Sequence, residues 1–241
     1  MSFYSSIAFA YDSIFPLKPV QAEFVESCFS GSVAGQKIID AGCGTGALAI
    51  LLARRSAQVF GFDSDDLMIQ AARNKQPQAL NLKFKTGDLT EELYSFEQNK
   101  IDGILCFGNT LVHLTEKDKM EQFLRRASEI LKPGGKLLLQ IVNYDRVLDQ
   151  NITSLTAIET GKFTFVRKYR LLPEGLIDFE TELTDNEIGN RVVNKISLYP
   201  VRKDELEKML QKYFKTVNCY GDYKKSPLTE DSFHFVIEAE K

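Results

Sequence analysis

Residues 38–48 read Ile-Ile-Asp-Ala-Gly-Cys-Gly-Thr-Gly-Ala-Leu, and this stretch decides the fold. An apolar run ends in Asp40, glycines follow at positions 42, 44 and 46, and a helical pattern begins after them. Glycines let a strand turn tightly into a helix and keep the backbone open to a ligand. Because a helix start leaves backbone N–H groups unpaired, the turn is predicted to bind part of a nucleotide-like cofactor.

Strand and helix signals alternate along the first 150 residues. Apolar runs predict buried parallel strands at 37–41, 58–62, 81–86, 101–107 and 136–142. Helices are predicted at 47–55, at 65–74 with Ser64 as the N-cap, and at 116–131, where Lys132-Pro133-Gly134-Gly135 ends the last one. One or two further helices are expected beside the sheet before residue 34. This alternation predicts a doubly wound α/β fold.

The pattern changes after about residue 150. Runs at 162–172, 176–184 and 192–201 are typical of strands, and no helix separates them, so they are predicted to pair antiparallel. A helix at 203–213 and strands at 216–223 and 233–239 follow. We therefore predict a mostly parallel sheet of seven strands built from residues 1–150 and 201–241, and a small antiparallel β insertion at 151–200.

Composition excludes several classes of protein. The chain has 241 residues, of which 44% are hydrophobic and 26% charged, and this is typical of a soluble globular protein. A net charge of -3 gives no support for a nucleic-acid partner. The first residues lack a signal-peptide pattern, and no apolar stretch is long enough to cross a bilayer. Scattered cysteines at 28, 43, 106 and 219 predict reduced thiols, no metal cluster and a cytoplasmic location.

The glycine turn also has to be compared with a dinucleotide-binding turn. The pattern G-x-G-x-x-A is satisfied from Gly42 to Ala47, with Asp63 at the expected distance downstream. However, Asp40 directly precedes the turn, where a carboxylate would disfavour a pyrophosphate, and Asp88 ends the third strand. Three successive strands thus end in an acid at the edge of the sheet where ligands bind. A cofactor with ammonium and sulfonium charges fits this arrangement better.

In this order and at this spacing, the motifs resemble those of class I S-adenosylmethionine-dependent methyltransferases over most of the chain. The resemblance implies a Rossmann-like fold, S-adenosylmethionine as cofactor and S-adenosylhomocysteine as its product. It implies that the turn faces the methionine part of the cofactor and that Asp40 holds its amino end. The residues of this turn assigned to the cofactor are Asp40, Gly42, Cys43, Gly44 and Gly46, and Phe107 is a further candidate cofactor-binding residue.

The same resemblance assigns the adenosine part to the ends of the second and third strands. Asp63, followed by Ser64, matches the acid that binds the two ribose hydroxyls, although a helix-capping role competes. Met68 falls where the family often places an apolar residue against adenine, and plain core packing is the alternative. Asp88, with Leu89 after it, matches the acid that accepts a hydrogen bond from the adenine amino group.

The segment after the fourth strand favours a substrate class. Residues 106–114 read Cys-Phe-Gly-Asn-Thr-Leu-Val-His-Leu, which resembles the Gly-Asn-Ser/Thr…His-Leu stretch of glycine N-methyltransferase and related small-molecule enzymes. The Asn/Asp-Pro-Pro-Tyr/Phe motif of nucleic-acid amino methylases is absent here, and so is the acid of metal-dependent catechol-type O-methyltransferases. The resemblance therefore implies metal-independent methylation of an amine nitrogen on a small molecule.

Two further segments concern the substrate. Val142-Asn143-Tyr144-Asp145 resembles an Arg-Asn-Tyr-Asp stretch of glycine N-methyltransferase, but Val142 replaces the arginine that grips the substrate carboxylate, so glycine itself is disfavoured. In relatives a β insertion roofs the substrate pocket, and an arginine there is a candidate replacement. Alternation along the strand at 162–172 places Arg167 and Tyr169 on one face, and with Asn143 these are candidate substrate residues.

Candidate catalytic residues follow from the same segments. Asn109 and Tyr144 are expected to orient the acceptor by hydrogen bonds. His113 is either a general base or a loop histidine bonded to the backbone. Tyr11, in Ala10-Tyr11-Asp12, is a candidate substrate residue that either belongs to an N-terminal lid over the site, as in many relatives, or packs on the sheet edge.

Several functions stay open from the sequence, because a fold resemblance does not identify a substrate. Methylation of oxygen or carbon on a small metabolite, a dinucleotide-dependent oxidoreductase and a non-catalytic cofactor-binding protein are the alternatives to N-methylation. The expected partner is a small-molecule methyl acceptor, with no nucleic acid and no membrane, and the chain is expected to be a monomer or a homodimer.

Overall fold

Residues 3–241 are described by a computed structural model, in which the chain forms two β-sheets flanked by helices. Residues 1 and 2, with which the predicted first segment begins, lie outside this range. The strands are β1 (Lys37–Ala41), β2 (Gln58–Asp63), β3 (Leu82–Thr86), β4 (Ile101–Cys106), β5 (Leu131–Val142), β6 (Ser154–Glu159), β7 (Phe163–Leu171), β8 (Ile177–Asp185), β9 (Arg191–Leu198), β10 (Thr216–Tyr220) and β11 (His234–Glu240). The α-helices are α1 (Tyr11–Ile14), α2 (Pro19–Cys28), α3 (Ala47–Arg54), α4 (Asp66–Lys75), α5 (Lys117–Ile130), α6 (Tyr144–Asp149) and α7 (Lys203–Leu210).

The larger sheet has seven strands in the order β10-β11-β5-β4-β1-β2-β3. All neighbours pair parallel except β11, which is antiparallel to both β5 and β10. This confirms the predicted doubly wound, mostly parallel sheet. The chain moves outward from β1 through β2 to β3 and then returns to place β4 on the other side of β1. A ligand crevice forms at such a reversal, outside the carboxyl ends of the strands, and β1 ends there with Asp40 and Ala41.

The smaller sheet is antiparallel, in the order β6-β7-β8-β9. Three of its strands match the predicted runs, but β6 was not predicted, and neither was α6. Every residue of β6 is half-buried or exposed, and polar and apolar residues alternate only from Ser154 to Ala157, which is too short a stretch to predict a strand. Helix α6 has six residues, too few for a helical period to be recognised.

Two predicted details are wrong. The N-cap of α4 is Asp65 and not Ser64, because Asp65 Oδ1 accepts hydrogen bonds from the backbone N–H groups of Leu67 at 2.9 Å and Met68 at 3.1 Å. Strand β5 begins at residue 131 and not at 136. Ile101 pairs with Leu131 and Gly103 with Lys136, so residues 132–135 form a bulge within the strand and not a turn before it.

The N-terminal segment contacts both sheets. Helix α2 packs beside the larger sheet as predicted, with Phe24 and Val25 in its core. Residues 5–14 pack instead on the smaller sheet, where Ile7, Ala10 and Ile14 form one apolar cluster with residues of β7 and β8. Within residues 3–241, no helix combines the length and apolar character needed to span a membrane.

Candidate active site

A cavity of about 490 Å³ opens at the carboxyl ends of β1, β4 and β5. The larger sheet forms its floor, the N-terminal segment one wall, and β7 and β8 its roof. The size is in the usual range of small-molecule sites. Polar side chains from all three parts line it, namely Asp40, Tyr11, Asn109, His113, Arg167 and Tyr169.

Asp40 lies on the floor of this cavity with 4% of its surface exposed. Burial, and then the nearby charge of Asp63, raise the pKa of its carboxyl to about 7. No lysine, arginine or histidine among residues 3–241 forms an ion pair with it. A buried carboxylate without a cation is costly, so an ammonium group on a ligand would stabilise its charged form.

The glycine turn brings β1 close to the segment after β4. Gly42 has a φ of +76°, and a Cβ there would lie 2.7 Å from Thr110 Oγ1. A larger residue would therefore separate Asp40 from the β4 side of the cavity. Cys43 and Phe107, two further predicted cofactor residues, also line the cavity.

Asp63 holds the second part of the turn. Its Oδ2 accepts a hydrogen bond from Gly44 N at 2.9 Å, and its Oδ1 accepts one from Asp65 N at 3.0 Å. Burial raises the pKa of Asp63, and these backbone N–H groups partly oppose that rise. Asp63 thus connects the glycine turn to the cap of α4 and does not itself line the cavity.

The predicted adenosine residues also lie outside the cavity. Ser64 and Asp88 are exposed, whereas Met68 and Leu89 are buried in the protein. Asp88 Oδ1 accepts hydrogen bonds from Thr90 N at 2.8 Å and Thr90 Oγ1 at 2.6 Å, which fixes the loop after β3. The structure therefore brings Asp40, Gly42, Cys43 and Phe107 together at the cavity, whereas Gly44 and Gly46 do not line it. The residues predicted for the adenosine part form a neighbouring surface.

The N-terminal segment covers the boundary between these two parts. A Cβ added at Gly44 would lie 3.5 Å from Tyr11 Cε1, so the tyrosine ring lies against the glycine turn. Thr45 Oγ1 donates to Asp12, and Ser5 Oγ donates to Asp65 Oδ2 at 2.6 Å. Tyr11 also packs near Phe15 of the same segment, with ring centroids 5.2 Å apart. This position supports the expected lid more than packing at a sheet edge.

The turn also yields a stability prediction. Gly46 has a φ of +77°, and a Cβ there would lie 2.8 Å from Phe84 Cε1 and 2.9 Å from Ala72 Cβ. Gly35 has nearly the same φ, +75°, with nothing within 4 Å. We expect Gly46→Ala to lower the free energy of unfolding by roughly 2–5 kcal/mol, from backbone strain plus overpacking, and Gly35→Ala by about 1–2 kcal/mol from strain alone. Urea denaturation of both variants measures this, and equal losses would contradict the packing argument.

In the segment after β4, two hydrogen bonds fix the side chain of Asn109. Its Oδ1 accepts from Val142 N at 2.9 Å, and its Nδ2 donates to Tyr144 Oη at 3.0 Å. Tyr144 is 1% exposed and lies behind Asn109 without lining the cavity, so it positions the amide. Asn143 is also outside the cavity, because its side chain caps α6 and donates to the carbonyls of Thr229 and Ser232.

His113 lines the cavity as an uncharged imidazole. Burial lowers its pKa to about 4, and its Nε2 shares a hydrogen bond of 2.9 Å with Tyr4 Oη. The alternative of a loop histidine bonded to backbone is not what the structure shows, since the ring partner is a side chain 109 residues away in sequence. A base of such low pKa is a weak acceptor for a hydroxyl proton.

Sequence reasoning missed a polar group around Gln140. Its Oε1 accepts hydrogen bonds from Gly108 N at 2.9 Å and Tyr223 Oη at 3.1 Å, and its Nε2 contacts His234 Nδ1 at 3.1 Å. Gln140, Tyr223 and His234 all line the cavity. The available signal was a glutamine inside an otherwise apolar strand, because a buried amide requires polar partners.

Comparison with known proteins agrees with this geometry. Residues 38–135 match the family model described as a methyltransferase domain. A glycine/sarcosine N-methyltransferase from Aphanothece halophytica is 24% identical over 208 residues, covering 86% of this chain and 76% of the relative. A ubiquinone biosynthesis O-methyltransferase from Coxiella burnetii is 27% identical over 174 residues, covering 71% and 67%.

The fold also has a close counterpart among solved structures. An S-adenosylmethionine-dependent methyltransferase from Clostridium acetobutylicum superposes with a TM-score of 0.80 at 18% identity, and 99% of each chain is covered. The strand order, the acidic glycine turn and the matched family model lead to one conclusion. Residues 38–135 are similar to a methyltransferase domain, and the chain shares its fold with a solved S-adenosylmethionine-dependent methyltransferase.

Proposed function

We propose that this enzyme transfers the methyl group of S-adenosylmethionine to the amine nitrogen of a small molecule. The observation that carries the proposal is the lack of a suitable proton acceptor for a hydroxyl group in the described cavity. The chain has two histidines, and both line the cavity. Burial lowers the pKa of each, and each ring shares a hydrogen bond with a neighbouring side chain.

The residues present fit the cofactor. The buried Asp40 carboxylate offers a partner for the amino group of the methionine part, and the glycine turn allows a close approach beside it. Asp63 and Asp88, at the ends of β2 and β3, are proposed to hold the ribose and the adenine. When bound, S-adenosylmethionine supplies a methyl carbon that is activated by the adjacent sulfonium.

The carboxylates of the cavity have other partners, so none of them takes the place of a histidine as general base. Asp40 is proposed to pair with the cofactor, and Asp12 accepts from Thr45 Oγ1 and Lys75 Nζ. A neutral amine needs no base before it reacts, because its lone pair is already free. With S-adenosylmethionine held by Asp40, the nitrogen would attack the methyl carbon, the electron pair of the C–S bond would stay on sulfur, and the resulting ammonium would release a proton to water.

The enzyme's own residues then have to hold the amine in line with the methyl group. Asn109 is proposed to orient it, because Tyr144 and Val142 N fix the amide, whose Nδ2 keeps one N–H for a ligand. Such positioning can replace a large effective concentration of the acceptor, of order 10⁵ M or more. The glycine/sarcosine N-methyltransferase relative supports nitrogen as the target, and the O-methyltransferase relative defines the competing outcome.

Matched acceptor pairs test the proposal. Each pair has the same carbon skeleton, with an amine in one member and a hydroxyl in the other, and formation of S-adenosylhomocysteine is followed with an isotope-labelled methyl group. We expect the amines to react at least about 100-fold faster, because a hydroxyl requires assistance from a general base that the cavity lacks. Mass analysis of the product locates the methyl group, and faster reaction of the hydroxyl members would overturn the assignment.

A further inference from the structure

Arg167 is a cation in the roof of the cavity, and no acidic side chain of residues 3–241 pairs with it. It lies on the cavity face of β7 and is half-buried. Its Nη2 donates to the carbonyl of Thr156 at 2.7 Å, while its buried Nε has no hydrogen-bond partner among residues 3–241. No carboxylate within the same residues forms an ion pair with it. Arg170, on the opposite face of the same strand, pairs with Asp178 and Glu180.

The surroundings of Arg167 increase the cost of its isolated charge. Apolar side chains of Leu155, Ile158 and Phe165 line the same part of the cavity. Burial lowers the pKa of Arg167, and Tyr169 is the one titratable neighbour that perturbs it. Since buried charges in proteins are paired and buried N–H donors are bonded, a missing anion is the simplest partner for this guanidinium.

The position of Arg167 relative to the proposed amine site indicates which molecule carries the missing negative group. Arg167 and Tyr169 alternate on the same face of β7, and Tyr169 shares a hydrogen bond with Tyr144, which in turn holds Asn109. The cation and the amide of Asn109 thus belong to one connected wall of the cavity. A substrate that contacts both Arg167 and Asn109 would carry an amine at one end and a negative group at the other.

We propose that the methyl acceptor is an amino acid in the broad sense, a molecule with both an amine and a carboxylate, and that Arg167 binds its carboxylate. This inference rests on the proposed N-methyltransferase function. The planar guanidinium of Arg167 keeps N–H donors besides the one bonded to Thr156, and its fork matches the two oxygens of a carboxylate, which favours a carboxylate over a single-point acceptor. Arg167 thereby determines substrate specificity and takes no part in the methyl transfer itself.

The test compares amino acids with their own carboxamides, which keep the amine and lose the charge. The panel varies the side chain and the separation of the amine from the carboxylate, and kcat and KM are measured by S-adenosylhomocysteine formation. For the preferred acid we expect kcat/KM to exceed that of its amide by about 30-fold or more. In Arg167→Gln this preference collapses, mainly through a higher KM for the acid.

Controls separate a specific pairing from general effects. Lys168→Gln removes a positive charge from the opposite, exposed face of the same strand and should keep the full acid preference. Arg167→Lys keeps the positive charge but lacks the planar guanidinium, so it should show only part of the preference for the acid. Calorimetric titration with S-adenosylhomocysteine shows whether Arg167→Gln is folded, because its affinity for that ligand should equal the wild-type value.

The outcomes distinguish this inference from the proposed function. Acid preference that survives in Arg167→Gln, or amides that react as well as acids in the wild type, overturns the role of Arg167 and leaves N-methylation intact. Reaction of hydroxy compounds but of no amine overturns both. If no compound of the panel is methylated, titration of the acids into the S-adenosylhomocysteine complex decides. Binding that is lost in Arg167→Gln supports the inference, and the absence of any binding overturns it.

Discussion

Asp40→Asn is expected to stabilise the unliganded enzyme and at the same time abolish tight cofactor binding. In the folded protein burial, and then the nearby charge of Asp63, raise the pKa of Asp40 to about 7, compared with 3.8 for the free side chain. Between these values the folded state binds more protons at this site than the unfolded state does. The contribution of Asp40 to stability is therefore fully present below about pH 4 and is lost as the pH rises through 7.

Asparagine cannot ionise, so the Asp40→Asn variant does not lose this stability as the pH rises. Its free energy of unfolding should exceed that of the wild type by roughly 2–4 kcal/mol at pH 8 without cofactor, and the difference should shrink steadily as the pH falls. Thermal or urea unfolding from pH 5.5 to 8 measures it. A variant that is less stable than the wild type at pH 8 would contradict the origin given for the raised pKa.

In the same variant, cofactor binding should weaken although the unliganded protein becomes more stable. The amino group proposed to pair with Asp40 would be left without its carboxylate, so the Kd of S-adenosylhomocysteine should rise about 30- to 1000-fold. For the wild type, the Kd should rise about tenfold for each pH unit below 7, since only the ionised carboxylate pairs with an ammonium. This pH dependence should vanish in Asp40→Asn, and its persistence would assign the titration to another group.

Asp63→Ala is expected to lose both stability and cofactor binding. The substitution removes the acceptor of two backbone N–H groups, those of Gly44 and Asp65, which fix the glycine turn and the cap of α4. We expect a loss of about 1–3 kcal/mol for each group that stays buried without a partner. Titration with S-adenosylmethionine should detect no binding, because the turn loses its shape and the proposed ribose contact is removed.

Asp185→Ala is the matched control for this variant. Asp185 also accepts hydrogen bonds from two backbone N–H groups, those of Glu187 and Ile188, but at an exposed hairpin outside the cavity. Water can replace the lost acceptor there, so the stability loss should be smaller and cofactor affinity should equal the wild-type value. Normal binding by Asp63→Ala, or an equal loss of binding in both variants, would refute the role assigned to Asp63.

Local sequence patterns predicted much of the larger sheet and the floor of the site. The strands at 37–41 and 58–62 and the turn between them are determined by apolar runs and glycines close in sequence, and these strands were predicted to within one residue. Asp40 follows from the same stretch, because it is the residue at the end of a buried strand next to a glycine turn.

Long-range contacts determine what the sequence did not reveal. Tyr4 and His113 meet across 109 residues, and Gln140 and His234 across 94, so no local period indicates either pair. The edge strand β6 alternates over four residues only and was not predicted, yet its Thr156 carbonyl accepts a hydrogen bond from Arg167. Such groups are defined by packing of the smaller sheet over the larger one, which residue spacing along the chain does not encode.

The two-sided construction of the cavity has a consequence for how such an enzyme evolves. The proposed cofactor contacts are encoded between Asp40 and Phe107, whereas the proposed carboxylate contact is encoded in β7. A lineage can therefore exchange one acceptor for another through mutations in a short antiparallel segment. The turn that serves the methyl donor is then inherited unaltered, and selection on the two halves proceeds separately.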